Sequence, residues 1–168
     1  MTALRSITVG VVVERRKAAS QWVDFIWQAI AVLPGQPDAE PWTVLTREAD
    51  RTTFYAGTAE IALYRGETTN YRDNLTSSAP SVWVALRPCE GEMPYQLFAV
   101  TVDPAEGEAF TETGADLVEA VPMPSPIRDV VAAFVAEHHV ERAIFKRKRD
   151  RQNTEALARR VPGSEERK

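Results

Sequence analysis

Cysteine, histidine and long apolar runs are all scarce in this chain. Its 168 residues include one cysteine, Cys89, and two histidines, His138 and His139. A single thiol cannot form an internal disulfide, which is typical of proteins from a reducing compartment. No stretch approaches the roughly 18 apolar residues that span a membrane as a helix. We therefore expect a cytoplasmic protein without a membrane span.

The sequence also lacks the usual arrangements of catalytic and metal-binding residues. His138 and His139 are neighbours, and adjacent side chains on a helix point about 100° apart, so they cannot share one metal. No Gly-x-Ser-x-Gly, Gly-x-Gly-x-x-Gly or Walker loop occurs. The sequence therefore predicts no catalytic residue, metal site or cofactor, and it favours a protein that is not an enzyme without deciding the question.

Charge is distributed unevenly along the chain. Residues 141–168 carry ten Lys and Arg against five Asp and Glu, a net of +5, whereas residues 1–140 carry ten against nineteen, a net of −9. We expect one domain over residues 1–145 and a basic, flexible tail over residues 146–168. An acidic body repels nucleic acid, so we expect no nucleic-acid partner except through the tail. The tail's candidate contact residues are Lys146, Arg147, Lys148 and Arg149.

Most of the chain has the pattern of β-strands. Strands are predicted at 6–13, 42–47, 52–63, 81–87, 95–102 and 117–121, with the charged run from Glu14 ending the first. In the 52–63 strand, Tyr55, Gly57, Ala59, Ile61 and Leu63 are expected to share one face. Apolar residues from Trp22 to Leu33 fit either a strand or a helix. The pattern indicates an α+β fold with a mostly antiparallel sheet.

Helices are expected in three places. Residues 67–75 are polar and predict a short helix or a turn. A second helix is predicted to begin at Asp103-Pro104 and to end at Gly114. In the last helix Ser125 is the expected cap and Pro126 the first residue. An apolar stripe at helical spacing then predicts an amphipathic helix packed on the sheet; its members are Ile127, Val130, Val131, Phe134, Val135 and His138.

Two groups of residues are candidates for binding a partner. Trp22 and Trp27 either pack in the core or form exposed anchors, since tryptophan is enriched at interface hot spots. Tyr71, Arg72 and Asn74 either bind an anionic or peptide ligand or satisfy backbone groups at a corner of the sheet. The residues alone leave both alternatives open.

Several strings along the chain together resemble one known family. They are VGVVVERR at 9–16, the W-x4-W-x4-VLPG segment at 22–35, FYAGT at 54–58, ETTNYRDNL at 67–75, VPMP at 121–124 and HHVERAIFKRKRDR at 138–151. The resemblance is to a proteobacterial domain family of unknown function whose genes neighbour those of formate dehydrogenase and its maturation factors. It covers the chain to about residue 151.

The resemblance implies a non-catalytic accessory protein. Such a protein would assist assembly or maturation of a molybdenum- or tungsten-containing formate dehydrogenase by contacting one of its subunits or maturation factors. Some relatives carry a label that implies molybdopterin-guanine dinucleotide synthesis, but the glycine-rich phosphate loop of such an enzyme is missing here. The alternative is a small-molecule-binding protein or an enzyme of molybdopterin metabolism, with Tyr71, Arg72 and Asn74 lining its pocket.

Overall fold

The chain folds into two antiparallel sheets and three helices. The computed structural model describes residues 2–139. Its strands are β1 (Arg5–Lys17), β2 (Phe25–Pro34), β3 (Thr43–Arg47), β4 (Arg51–Leu63), β5 (Ser81–Pro88), β6 (Tyr95–Thr101) and β7 (Leu117–Pro122). Its helices are α1 (Thr68–Thr76), α2 (Pro104–Ala109) and α3 (Ser125–His138), with short 3₁₀ turns at Arg65–Glu67 and Phe110–Thr113. The predicted α+β class is confirmed.

The two sheets lie against each other. One has the strand order β2-β1-β4-β3 and the other β6-β5-β7, and every pairing is antiparallel. β7 lies near β2, and β6 lies near β4. Alternate residues of β1, β4 and β5 fill the space between them, as the two-residue period of a strand requires. The core includes Val9, Val11, Val13, Ile61, Leu63, Val82, Val84 and Leu86.

The helices close one end of this core. α1 packs against α3, and the apolar stripe of α3 enters the core through Ile127, Val131 and Phe134. His138 continues that stripe as predicted, because its ring lies 4.5 Å from the ring of Phe134. The predicted start of α2 is also confirmed, since the Asp103 carboxylate accepts hydrogen bonds from the amides of Ala105 and Glu106. Gly114, in the left-handed region with φ of 71°, ends the following turn.

Three local predictions are wrong. β1 does not end at Glu14 but continues to Lys17, because the charged residues pair with both β2 and β4. A register shift between Val11 and Val12 places Tyr55 opposite Val12 on the other face of the sheet, where it is buried apart from the cluster that contains Ile61 and Leu63. Pro124 rather than Ser125 is the cap residue of α3, with no side-chain cap bond.

The ambiguous segment from Trp22 to Leu33 divides into two parts. Residues 18–24 connect β1 to β2, and the strand itself begins at Phe25. Trp22 therefore lies in the connection and Trp27 in the strand. The strand forms because β2 pairs with β1 from Val9 to Lys17 and places Ala29 and Val32 in the core.

Candidate partner-binding site

Asn74 lies in a closed corner between α1 and the second sheet. Its side-chain amide donates to the carbonyls of Ser81 (2.8 Å) and Val102 (2.9 Å), and its carbonyl accepts from the Ser81 amide at 2.9 Å. The side chain is buried. These three bonds tie the end of α1 to β5 and to the end of β6. Asn74 satisfies backbone groups at a sheet corner and has no surface to offer a partner.

Tyr71 is buried beside it. Its hydroxyl accepts a hydrogen bond from the Tyr64 amide at 2.9 Å, and its ring packs edge-on against Phe134. Burial raises the pKa of the Tyr71 hydroxyl to about 12, because the phenolate would lose its water. Tyr71 therefore joins α1, α3 and the end of β4. Like Asn74, it belongs to the interior of the fold.

Arg72, on the same helix, points to the outside. Its guanidinium lies 3.1 Å from Nε2 of His139, and Nδ1 of His139 lies 3.2 Å from the Thr68 hydroxyl. An arginine can only donate, so Nε2 accepts and the proton is on Nδ1. This chain of bonds joins α1 to the end of α3. The structure thus separates Arg72 from Tyr71 and Asn74, and no shared pocket forms among the three.

The far end of the first sheet is open. There the end of β1, the starts of β2 and β4 and the end of β3 line a groove of about 340 Å³, to which no residue of β5, β6 or β7 contributes. We call this the cationic groove. It is lined by Arg15, Lys17, Phe25, Arg47, Thr52 and the β3–β4 turn at 48–51. Of the ten Arg and Lys residues within 1–140, half lie around this end: Arg15, Arg16, Lys17, Arg47 and Arg51.

Arg15 is held in this groove by aromatic rings. Its guanidinium carbon lies 4.6 Å from the centroid of the Phe25 ring, 5.3 Å from that of Phe54 and 5.7 Å from that of Trp27. The ring faces attract the cation and fix its position. Within residues 2–139 no carboxylate forms a salt bridge with Arg15, Lys17 or Arg47, whereas Arg51 lies 3.5 Å from the Glu14 carboxylate.

Exposed apolar side chains border the groove at the start of β2. They are Trp22, Val23, Phe25 and Ile26, which we call the apolar rim. Phe25 faces the groove, whereas Ile26, the next residue of the strand, points to the other face of the sheet. Trp22 is 85% exposed, although fully burying so large a side chain stabilises a protein by a few kcal/mol. The edge strand on the opposite side of this sheet, β3, exposes Val44 and Leu45 as well. Phe25 belongs to both the rim and the groove.

Trp27 and Trp42 form the boundary between the groove and the core. Trp27 stacks on Phe54 with ring centroids 5.9 Å apart and meets Trp42 edge-on at 6.1 Å. The backbone of Trp42 is in the left-handed region with φ of 68°, which costs free energy for a bulky residue. Its amide bonds the Tyr55 carbonyl, and its ring contacts Trp27 and Phe54. These contacts hold the rings that hold Arg15.

A second arginine is stacked on a ring in the other sheet, but it is already paired. The Arg87 guanidinium carbon lies 3.4 Å from the centroid of the Phe98 ring. Nε and Nη2 donate to the two carboxylate oxygens of Asp116 at 3.1 and 3.0 Å. This fork of hydrogen bonds lowers the pKa of the Asp116 carboxyl and raises that of Arg87.

Among residues 2–139, no group of three or more His, Cys, Asp or Glu side chains could hold a metal ion, and no helix could span a membrane. Cys89 lies in the β5–β6 turn, where its thiol donates to the Met93 carbonyl at 3.5 Å.

The predicted candidates fall into three groups. Trp22 and Trp27 lie at the open end of the first sheet, Trp22 exposed and Trp27 half-buried, whereas Tyr71 and Asn74 are buried at the closed end. Lys146, Arg147, Lys148 and Arg149 lie outside the described residues. Sequence reasoning missed Arg15, Lys17 and Arg47. The signal for Arg15 was its position two residues after Val13, which puts it on the same face of β1 as Val9, Val11 and Val13.

The fold defines a two-sheet α+β domain with an open cationic and apolar end. Residues 8–149 match the family model described as "Protein of unknown function (DUF3305)", and the chain belongs to that family. Neither the curated proteins nor the solved structures contain a match to this chain.

Proposed function

We propose that this protein is a non-catalytic accessory protein that acts by binding another protein through the apolar rim. In the finer form of the proposal, the protein is cytoplasmic. Its partner is then a subunit or maturation factor of a molybdenum- or tungsten-containing formate dehydrogenase, as the resemblance of the sequence implies. The observation that supports protein binding most is the exposure of Trp22 beside Val23, Phe25 and Ile26.

The physical argument concerns the cost of that exposure. Single exposed apolar side chains are ordinary on a protein surface, but a contiguous group next to a polar border is typical of an interaction site. Tryptophan contributes strongly to interfaces because it buries a large area with little loss of side-chain freedom. Residues 22–26 are all exposed, and four of these five, Trp22, Val23, Phe25 and Ile26, are apolar and form such a group around Asp24.

Co-purification tests this function. The full chain, tagged at one end, is used to recover proteins from lysate of its native host grown with formate, and formate dehydrogenase subunits and maturation factors are identified by mass spectrometry. The same recovery is made with Trp22→Ser, and with Leu4→Ser as the matched control. Leu4 is also an exposed apolar residue, 54% exposed, but it lies beside the opposite end of β1.

Recovery of a formate dehydrogenase subunit or maturation factor by the wild type and by Leu4→Ser, with loss in Trp22→Ser, is the expected result. Failure of the wild type to recover any of these proteins would contradict the finer proposal. Equal recovery by Trp22→Ser would contradict the assignment of binding to the apolar rim.

A further inference from the structure

The two stacked arginines of this protein differ in one respect. Arg87 has a ring on one side and the Asp116 carboxylate, which accepts two of its hydrogen bonds and pairs its charge. Arg15 has three rings around it but no carboxylate from residues 2–139. A guanidinium carries five N–H donors in a plane that matches a carboxylate. Among residues 2–139, the Arg15 site therefore has the cation and the rings that support it, but no carboxylate paired with it.

Charge around the groove favours an acidic occupant. Lys17 and Arg47 line it together with Arg15, and the acidic side chains that line it are Glu48 and Asp50 of the β3–β4 turn. Arg51 is offset by Glu14. The groove is thus a positive site on a body whose net charge over residues 1–140 is −9. Such a local reversal of sign attracts an anionic group to one place and disfavours other orientations.

The rim determines what else the occupant must carry. Phe25 contacts the Arg15 guanidinium and also belongs to the apolar rim with Trp22, Val23 and Ile26. A ligand that reaches Arg15 with a carboxylate therefore places its neighbouring groups on apolar side chains. A small inorganic anion would leave those side chains in water, whereas a peptide covers both surfaces.

We propose that the groove and rim bind an acidic peptide segment of the partner protein, in which Asp or Glu residues alternate with apolar ones. A carboxylate of this segment pairs with Arg15, Lys17 and Arg47 supply further positive charge, and the apolar side chains cover the rim. This inference rests on the proposed function, because it names the chemistry of the partner at the same site.

Two other occupants fit the charges less well. Residues 141–168 of this chain have a net charge of +5, which the cationic groove repels. Nucleic acid would be attracted by the groove, but the acidic body around it would oppose a long polyanion. A short acidic peptide meets only the groove and its border.

Peptide titration tests the inference with the full chain. A synthetic peptide of alternating Glu and Leu is compared by calorimetry with one of alternating Gln and Leu and one of alternating Glu and Ser. Oligothymidylate and inorganic phosphate serve as other anions. The variants are Arg15→Gln and Arg47→Gln, the latter at an exposed position, and Arg5→Gln is the control. Arg5 is exposed on the same strand as Arg15, roughly 33 Å away at the rise of an extended chain.

We expect the Glu–Leu peptide to bind about tenfold more tightly than either of the other peptides. The Gln–Leu peptide lacks the carboxylates, and the Glu–Ser peptide lacks the apolar side chains. Arg15→Gln should weaken its binding by about tenfold, Arg47→Gln by about threefold, and Arg5→Gln by less than about twofold. Thermal unfolding of each variant checks that it folds.

Three results would overturn the inference: no binding of the Glu–Leu peptide, equal binding by wild type and Arg15→Gln, or tighter binding of oligothymidylate or phosphate than of the peptide. These outcomes are separable from the proposed function. A chain that recovers its partner but ignores the Glu–Leu peptide keeps the function and loses the acidic segment. A chain that binds the peptide but recovers no formate dehydrogenase protein keeps the site and loses the finer function.

Discussion

The closed end and the open end of this molecule contain the same kinds of side chain, but these side chains serve different purposes. At the closed end Tyr71 and Asn74 are buried, with their polar atoms hydrogen-bonded to the backbone. At the open end Arg15 is held on aromatic rings, and Trp22 faces water. The difference is one of completion, because the closed end satisfies its polar groups and covers its rings within the chain. An aromatic or polar motif indicates binding only where the fold leaves its rings exposed or its polar groups unpaired.

Asn74→Ala should have the largest effect on the closed end. It removes three hydrogen bonds and leaves backbone groups of Ser81 and Val102 without their partner, so the free energy of unfolding should fall by about 3 kcal/mol. Urea denaturation measures this loss. Asn70→Ala on the same helix is the control, with a loss below about 1 kcal/mol for its single bond to Glu67. Equal losses would show that the corner is not closed as described.

Tyr71→Phe should destabilise by a smaller amount, about 1–2 kcal/mol, because the Tyr64 amide loses its acceptor. The folded pKa of about 12 lies above the ordinary value of about 10, so the unfolded chain ionises first as pH rises. The resulting stability is complete below about pH 10 and is lost between there and about pH 12. Urea midpoints over this range should fall less steeply for Tyr71→Phe than for the wild type.

Asp116→Asn should weaken the completed arginine site at neutral pH. The Asp116 carboxyl has a lowered pKa because Arg87 donates two hydrogen bonds to it. The pair therefore contributes stability above the ordinary Asp pKa of about 4, and this contribution is lost as pH falls through the folded value. As the pH is lowered, the midpoint temperature of thermal unfolding should fall less for Asp116→Asn than for the wild type. If the midpoint temperatures of the wild type and Asp116→Asn fell equally in acid, Asp116 would not stabilise the fold through Arg87.

Arg15→Gln should cost little stability, about 0.5–1 kcal/mol for the lost contact between cation and rings. Urea denaturation measures this loss and compares it with the loss in Arg87→Gln. The loss in Arg87→Gln should be larger, because that variant also leaves the Asp116 carboxylate without its partner. A larger loss in Arg15→Gln than in Arg87→Gln would mean that Arg15 serves the fold.

Trp22→Ser should have the smallest effect on stability, within about 0.5 kcal/mol, because the side chain is 85% exposed. The midpoint temperature of thermal unfolding should be the same for Trp22→Ser as for the wild type. Trp27→Ser is the contrasting variant and should be much less stable, since Trp27 packs with Phe54, Trp42 and Tyr95.

Strand and helix periodicity predicted most of the fold, but not the completion of each site. The stripe of α3 and the cap at Asp103 follow from local rules, and both are confirmed. The side of Tyr55 could not be predicted, because a single register shift reverses it. Trp22 and Trp27 share one apolar segment, and only the start of β2 at Phe25 separates them. The alternation of β1 indicates the face on which Arg15 lies but not the rings that it contacts, because Phe25 and Phe54 belong to two other strands.

Hydrogen–deuterium exchange of the protein with and without its recovered partner tests the central claim most directly. Binding at the open end predicts new protection in residues 15–27 and 43–52, with α1 and α3 unchanged. New protection confined to α1 and α3, with residues 15–27 exchanging as in the free protein, would contradict the account.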